Sequence, residues 1–177
     1  MTALRRAALL ALLAAPLLAR AEERILVVRT MEDPRFPYRA DVCAAAPFQS
    51  NVFLGASAWT IRTRARDGAL VNDDVRFLGP VTGCGRLTTV SPLVNQPFLI
   101  HFDLHEGSYT AVGACSITSN GVPAAGLLLL SCGLNIVAGP PGTIGGSATS
   151  ASVFNPLGIP GFDTGSIWTL RIHHDGR

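Results

Sequence analysis

No stretch of the chain beyond Glu22 keeps an apolar period of 3.6 residues for three turns. Short runs rich in Val, Ile, Thr, Phe and Trp alternate instead with Gly, Pro and Asn clusters. This pattern argues for an all-β domain, because period-two alternation buries one face of a strand while the clusters supply the turns. The expected strands include "RILVVRT", "VFLGASAWTIRTRA", "ALVNDDVRFLG", "RLTTV", "PFLIHFDLH", "SYTAVGACSITS", "GLLLLSCGLNIVA" and "SIWTLRIH". That makes a single antiparallel domain of about nine short strands over residues 22–177, a β-sandwich or a β-barrel. Residues 31–50, interrupted by Pro34, Pro37 and Pro47, read as an irregular arm that Cys43 must tether. Gly79-Pro80 and Gly83-Cys84-Gly85 read as strand breaks, "GPPGTIGG" (139–146) and "NPLGIPGFDTG" (155–165) as loops.

The first 21 residues are read separately, as a cleaved secretory signal. Arg5 and Arg6 form a basic start, Ala7 to Leu18 an apolar run, and Ala19-Arg20-Ala21 a cleavage site with small residues at the two positions that matter. The run is shorter than the roughly 20 residues a spanning helix needs, so no transmembrane segment is expected in the mature chain. The protein is then exported, to the periplasm or the extracellular space, and the alanine-rich leader and absence of lysine suggest a bacterial source. Charge follows the same division. Three of the fourteen basic residues fall in the leader, leaving eleven arginines against twelve acids. A nearly neutral domain makes nucleic acid a poor partner.

Four cysteines, all beyond the leader, read in an oxidising compartment as two disulfides. The shortest gap between consecutive cysteines is sixteen residues, which does not suit a zinc site. In the runs 108–119 and 126–138, Cys115 and Cys132 fall on the apolar faces, and their midpoint lies between Pro123 and Ala124, inside the expected turn. They should therefore face each other across a hairpin as Cys115–Cys132, leaving Cys43–Cys84 by elimination.

The densest chemistry lies in "HFDLHEGS", residues 101–108. As a strand, 97–105 sends Phe98, Ile100, Phe102 and Leu104 to the core and Leu99, His101, Asp103 and His105 to the other face. The leading reading is an outward polar face, ordinary on an antiparallel strand. The alternative is a site for one divalent transition metal. Alternate residues stand about 6.7 Å apart, close enough for two to share an ion, but His101 and His105 are about 13 Å apart. A complete site then needs His173 or His174 from the last strand, giving the His-x-Asp plus distant His set of a non-haem iron centre. Trp59, Arg62 and Arg64 are candidates for lining a ligand loop, although Trp59 and Trp168 sit on faces read as core.

No nucleophile elbow, phosphate loop or carboxylate pair on one face completes a catalytic constellation. The leading functional reading is a non-catalytic exported module, without a cofactor, that binds a small molecule, a glycan or a surface, or serves a structural role. Its alternatives are a metal protein using His101, Asp103, His105 and His173, and a protein-interaction module using the loops 139–146 and 155–165. An outer-membrane barrel fits the length, but the cysteines, the interrupting Pro-Gly loops and the ending "HHDGR" argue against it.

Overall fold

A computed structural model describes residues 22–61, 63–66, 69–72 and 75–176, with residues 63–66 and 69–72 as backbone. The leader, residues 1–21, lies outside the described residues, as do Arg62, Asp73 and Asp74. Ten strands and one helical turn follow in order: β1 Glu22–Glu32, α1 Ala40–Ala44, β2 Val52–Thr60, β3 Thr63–Arg66, β4 Ala69–Asn72, β5 Phe77–Gly85, β6 Asn95–Leu104, β7 Gly107–Ser119, β8 Leu128–Ala138, β9 Thr143–Phe154 and β10 Gly165–His174. Eight of them close into a barrel in the order β1-β10-β9-β8-β7-β6-β5-β2, while β3 and β4 form a separate two-stranded sheet between β2 and β5. Every pairing is antiparallel, so the barrel is an up-and-down meander sealed by its first and last strands, with Val28 opposite Trp168. Closure removes both sheet edges and their unpaired backbone groups.

The alternation read from the sequence supplies the interior. Ile100, Phe102 and Leu104 of β6 point inward with Tyr109 and Ala111 of β7, Leu134 and Ile136 of β8, and Trp168, Leu170 and Ile172 of β10. Phe102, Leu170 and Ile172 are fully buried. Outward positions such as Arg29, Ser131, Asn135, Thr149 and Arg171 are exposed. The outer face is mixed, since Ile25, Val27, Val137, Ile144 and Ile167 are exposed as well. No helix among the described residues is long and apolar enough to cross a membrane.

Both disulfides form as the spacing predicts. Cys115 and Cys132 are direct cross-strand partners on the inner face of β7 and β8. Cys43, in α1, joins Cys84 of β5, and two disulfides suit an oxidising environment.

Three local expectations are overturned. β5 runs straight through Gly79-Pro80 and Gly83-Cys84-Gly85, whereas "RLTTV" is loop. The glycines are there for the inside of the barrel: a Cβ on Gly83 or Gly85 would stand 3.0 or 3.1 Å from the Phe98 ring, so their bare backbone makes room for it. Likewise, "TIGG" is not loop but the start of β9, which also takes in the polar "SATSASVF". Third, Trp59 is not core. The inner face of β2 carries Ala56 and Ala58, and a register shift between Ala58 and Trp59 leaves Trp59 beside Phe77.

That outer aromatic face exists because the arm covers it. Phe36 stacks on Phe77 at 5.2 Å and Tyr38 on Phe53 at 4.9 Å. Cys43 and Cys84 pack with Leu99 into a second apolar cluster that Val42, Phe48 and Val112 complete. Asp33 begins the arm: it is buried, and its carboxylate accepts hydrogen bonds from the backbone N–H, Nε and Nη2 of Arg35. The Arg35 guanidinium holds that carboxyl well below the usual carboxylate range. Residues 33–51 are thus a strap fastened over β2, β5 and β6, and both faces of β6 carry apolar contacts.

Candidate ligand cup and the outer histidine row

The two ends of the barrel differ. At one end β6 turns into β7 through two residues, and an Arg24–Glu106 ion pair ties β1 to that turn. The opposite end carries all the long connections among the barrel strands except the one holding β3 and β4: the arm, 86–94, 120–127 and 155–164. The loops 139–146 and 155–165, expected to form one contact surface, therefore lie at opposite ends of the barrel.

The loop end opens into an apolar cup of about 80 Å³. Leu54, Phe98, Leu128, Leu130 and the Cys115–Cys132 disulfide form its wall, and Trp168 its floor. Phe98 lies parallel to the Trp168 indole at 6.5 Å, while Phe102 meets that indole edge-on at 5.7 Å. A separate, smaller space of about 40 Å³, lined by Ala56, Val81 and Ile100, also borders Phe98 and Trp168. One loop, 86–94, is clamped across the rim. Gln96, itself buried, accepts from the N–H and hydroxyl of Thr88 and donates to the Thr89 carbonyl. Asn51 exchanges hydrogen bonds of 2.9 and 2.8 Å with the backbone of Leu87. The rim is thereby tied to the barrel by side-chain hydrogen bonds, and a rim ordered in advance lowers the ordering cost of binding.

Ser152 lines one side of the otherwise apolar cup. Ser150 and Ser152 of β9 share a hydrogen bond of 2.9 Å. Trp168, the cross-strand partner of Ser150, is 2% exposed, and its indole Nε1–H has no acceptor. Indole N–H groups are donors only and normally find a partner when buried. A buried donor left unmet costs about 1–3 kcal/mol, in a protein whose total stability is of the order of 10 kcal/mol.

The histidine row is arranged differently. His101 and Asp103 face outward on β6, as expected, but under the strap. His101 Nδ1 lies 2.9 Å from the Thr110 hydroxyl, and Asp103 accepts from the Ser108 hydroxyl at 2.7 Å, each residue bonding its cross-strand partner on β7. Arg39, whose backbone N–H donates to the Thr82 hydroxyl, reaches to 3.9 Å from Asp103. These groups and Phe36 frame an outer niche of about 210 Å³. Burial beneath the arm, with help from the Arg39 charge, lowers the His101 pKa, and Asp103 and Asp41 oppose that only in part. His105, at the strand end, is exposed and meets the edge of Phe77 at 5.8 Å.

His173 does not join this row. β10 and β6 stand four strands apart in either direction around the barrel, and so on opposite walls. His173 and His174 lie on β10 and end beside β1. No group of three His, Cys, Asp or Glu side chains among the described residues is placed to hold a metal ion. Of the ligand-loop candidates, Trp59 packs against Phe77 and donates to the Ser57 hydroxyl at 3.0 Å. Arg62 lies outside the described residues, and Arg64 is described as backbone in β3.

The cup itself was not foreseen from the sequence. Its markers were Trp168 on an inward face, the two serines of "ATSAS" inward beside it, and glycine at the inward positions of β5. No known protein family, curated protein or solved structure matches the chain. The cup and the niche therefore rest on the chain's own geometry.

Proposed function

We propose that this protein is an exported, non-catalytic barrel that holds a small, uncharged, largely apolar molecule in the cup at its loop end. The observation carrying the proposal is an apolar recess walled by Phe98, floored by Trp168 and open to solvent, with its rim held by Gln96 and Asn51. Eight-stranded barrels have interiors just wide enough to be filled by side chains or to hold one small ligand. Here the loop end leaves a recess unfilled. The cup has about half the volume of the apolar cavity of about 150 Å³ that takes up benzene in an engineered protein. A single ring can enter while the remainder of the guest stays in the mouth. Export is supported by the two disulfides and by the leader-like residues 1–21.

Ethylbenzene serves as the test compound. If roughly 170 Å² of it leaves water at about 25 cal/mol per Å², the gain is about 4 kcal/mol and the dissociation constant lies near 1 mM. Titration followed by NMR or calorimetry should find saturable one-to-one binding of that order. Leu130→Phe, which fills the cup wall with a larger side chain, should abolish it while the protein stays folded. Unsaturable uptake, or equal binding by the filled variant, would defeat the proposal.

A further inference from the structure

Resting on that reading of the cup, we infer that its guest carries one hydrogen-bond acceptor, a carbonyl oxygen in the simplest case, which the Trp168 indole N–H meets from the floor. The inference begins with a mismatch of chemistry. A recess meant for hydrocarbon alone is best floored by Phe or Leu, which have no polar atom to bury. This floor is a tryptophan, 2% exposed, with its Nε1–H unsatisfied. It lines both the cup and the separate, smaller space.

The neighbouring groups do not relieve it. Ser150 and Ser152 hydrogen-bond each other, and neither hydroxyl lies within hydrogen-bond reach of Nε1. The Gln96 amide is spent on Thr88 and Thr89 at the rim. Phe98 covers one face of the indole and Phe102 meets it edge-on, so these rings orient the indole without accepting its proton. What remains is one buried donor on a ring that lines an otherwise apolar recess. Such a site selects a neutral apolar molecule with a single acceptor. A carboxylate is disfavoured, because no cationic side chain lines the inner cup and Arg86 stands only at its rim, exposed. The discrimination works by orientation: a guest whose oxygen faces the mouth leaves the indole N–H unmet, whereas one whose oxygen faces the floor satisfies it.

Acetophenone and ethylbenzene differ by a carbonyl in place of a methylene and have nearly the same shape. Each is titrated into the wild-type protein and into Trp168→Phe, which keeps an aromatic floor without the donor. The ratio of the two affinities cancels their different solubilities and any general loosening of the variant. Acetophenone's advantage relative to ethylbenzene should fall by about fivefold in Trp168→Phe, the worth of one net neutral hydrogen bond. The chain has two tryptophans, so Trp59→Phe assigns the two indole N–H resonances. The Trp168 resonance should move downfield with acetophenone and much less with ethylbenzene, a readout that does not depend on how well the variant folds. If both compounds bind but the ratio is unchanged and the Trp168 N–H shift is the same for both, the inference is overturned, and a bound water or no partner serves that donor. If neither compound binds the wild-type protein, the cup reading itself has failed.

Discussion

Removing the Cys43–Cys84 disulfide by Cys43→Ala with Cys84→Ala tests how the strap is held. The bridge closes a loop with a sequence separation of 41. In the loop-entropy treatment such a closure restrains the unfolded chain by roughly 4 kcal/mol at 25 °C. For a domain of this size that is about 8–16 °C in melting temperature. The figure is an upper value, since denatured chains retain structure that a cross-link does not further restrain. The structure adds a local signature. Cys43 and Cys84 make up two of the three buried residues in the cluster with Leu99, so the arm loses both its tether and its apolar anchor. The amides of Cys43 and Ala45, which bond only to Arg39, Asp41 and Val42 within the arm, should exchange rapidly in the variant. Amides of the β6–β7 ladder should keep most of their protection, because that pairing does not involve the strap. Urea denaturation with hydrogen exchange by mass spectrometry measures both effects. A loss below about 1 kcal/mol, or a ladder that opens before the arm, would refute the view of the strap as an independently fastened element.

Three further outcomes follow from the same geometry. Gly55→Ala should detach the arm, because a Cβ there would stand 2.2 Å from the Phe36 carbonyl oxygen and 2.6 Å from the Tyr38 nitrogen, both backbone atoms that cannot swing aside; a loss of about 2–3 kcal/mol in chemical denaturation is expected, of the size typical of overpacking. Phe102→Ala, emptying a fully buried position against Trp168, should cost about 3–5 kcal/mol by the same measurement. His101, its pKa lowered from 6.5 by burial and Arg39, takes up a proton more readily when unfolded than when folded. Stability should therefore be full above pH 6.5 and decline as pH falls toward its lower folded value, and thermal melts of His101→Gln should lack that part of the slope.

Much of the fold was legible because the inward face of several strands is strictly apolar. From Phe98 to Leu104 and from Trp168 to Ile172 every inward position is apolar, and the midpoint of Cys115 and Cys132 sits in a turn, so one hairpin and both disulfides could be read from spacing. Barrel closure could not, because it depends on β1 meeting β10 from opposite ends of the chain, a pairing that leaves no local mark. The misread segments share a cause. Glycine and proline in β5 and at the head of β9 look like punctuation in the sequence, whereas inside a narrow barrel glycine makes space for Phe98. Trp59 was assigned inward because the strap makes the outer face of β2 as apolar as a core, and a two-faced strand defeats a rule that counts one greasy side. The histidine row was placed on the correct face, but its cover by the arm and the opposite position of His173 are properties of closure and so lay beyond the pattern. The cup went unseen for the complementary reason: a recess is made by what several strands leave unfilled.

The most direct test of the cup is a methyl-resolved NMR titration with ethylbenzene, using leucine and isoleucine labels. Leu54, Leu128 and Leu130 should shift together and saturate, while Leu99 under the strap and Ile167 on the outer wall stay where they are. Saturable shifts at Leu99 or Ile167 with the cup methyls unmoved, or no saturable shift at any methyl, would contradict the account.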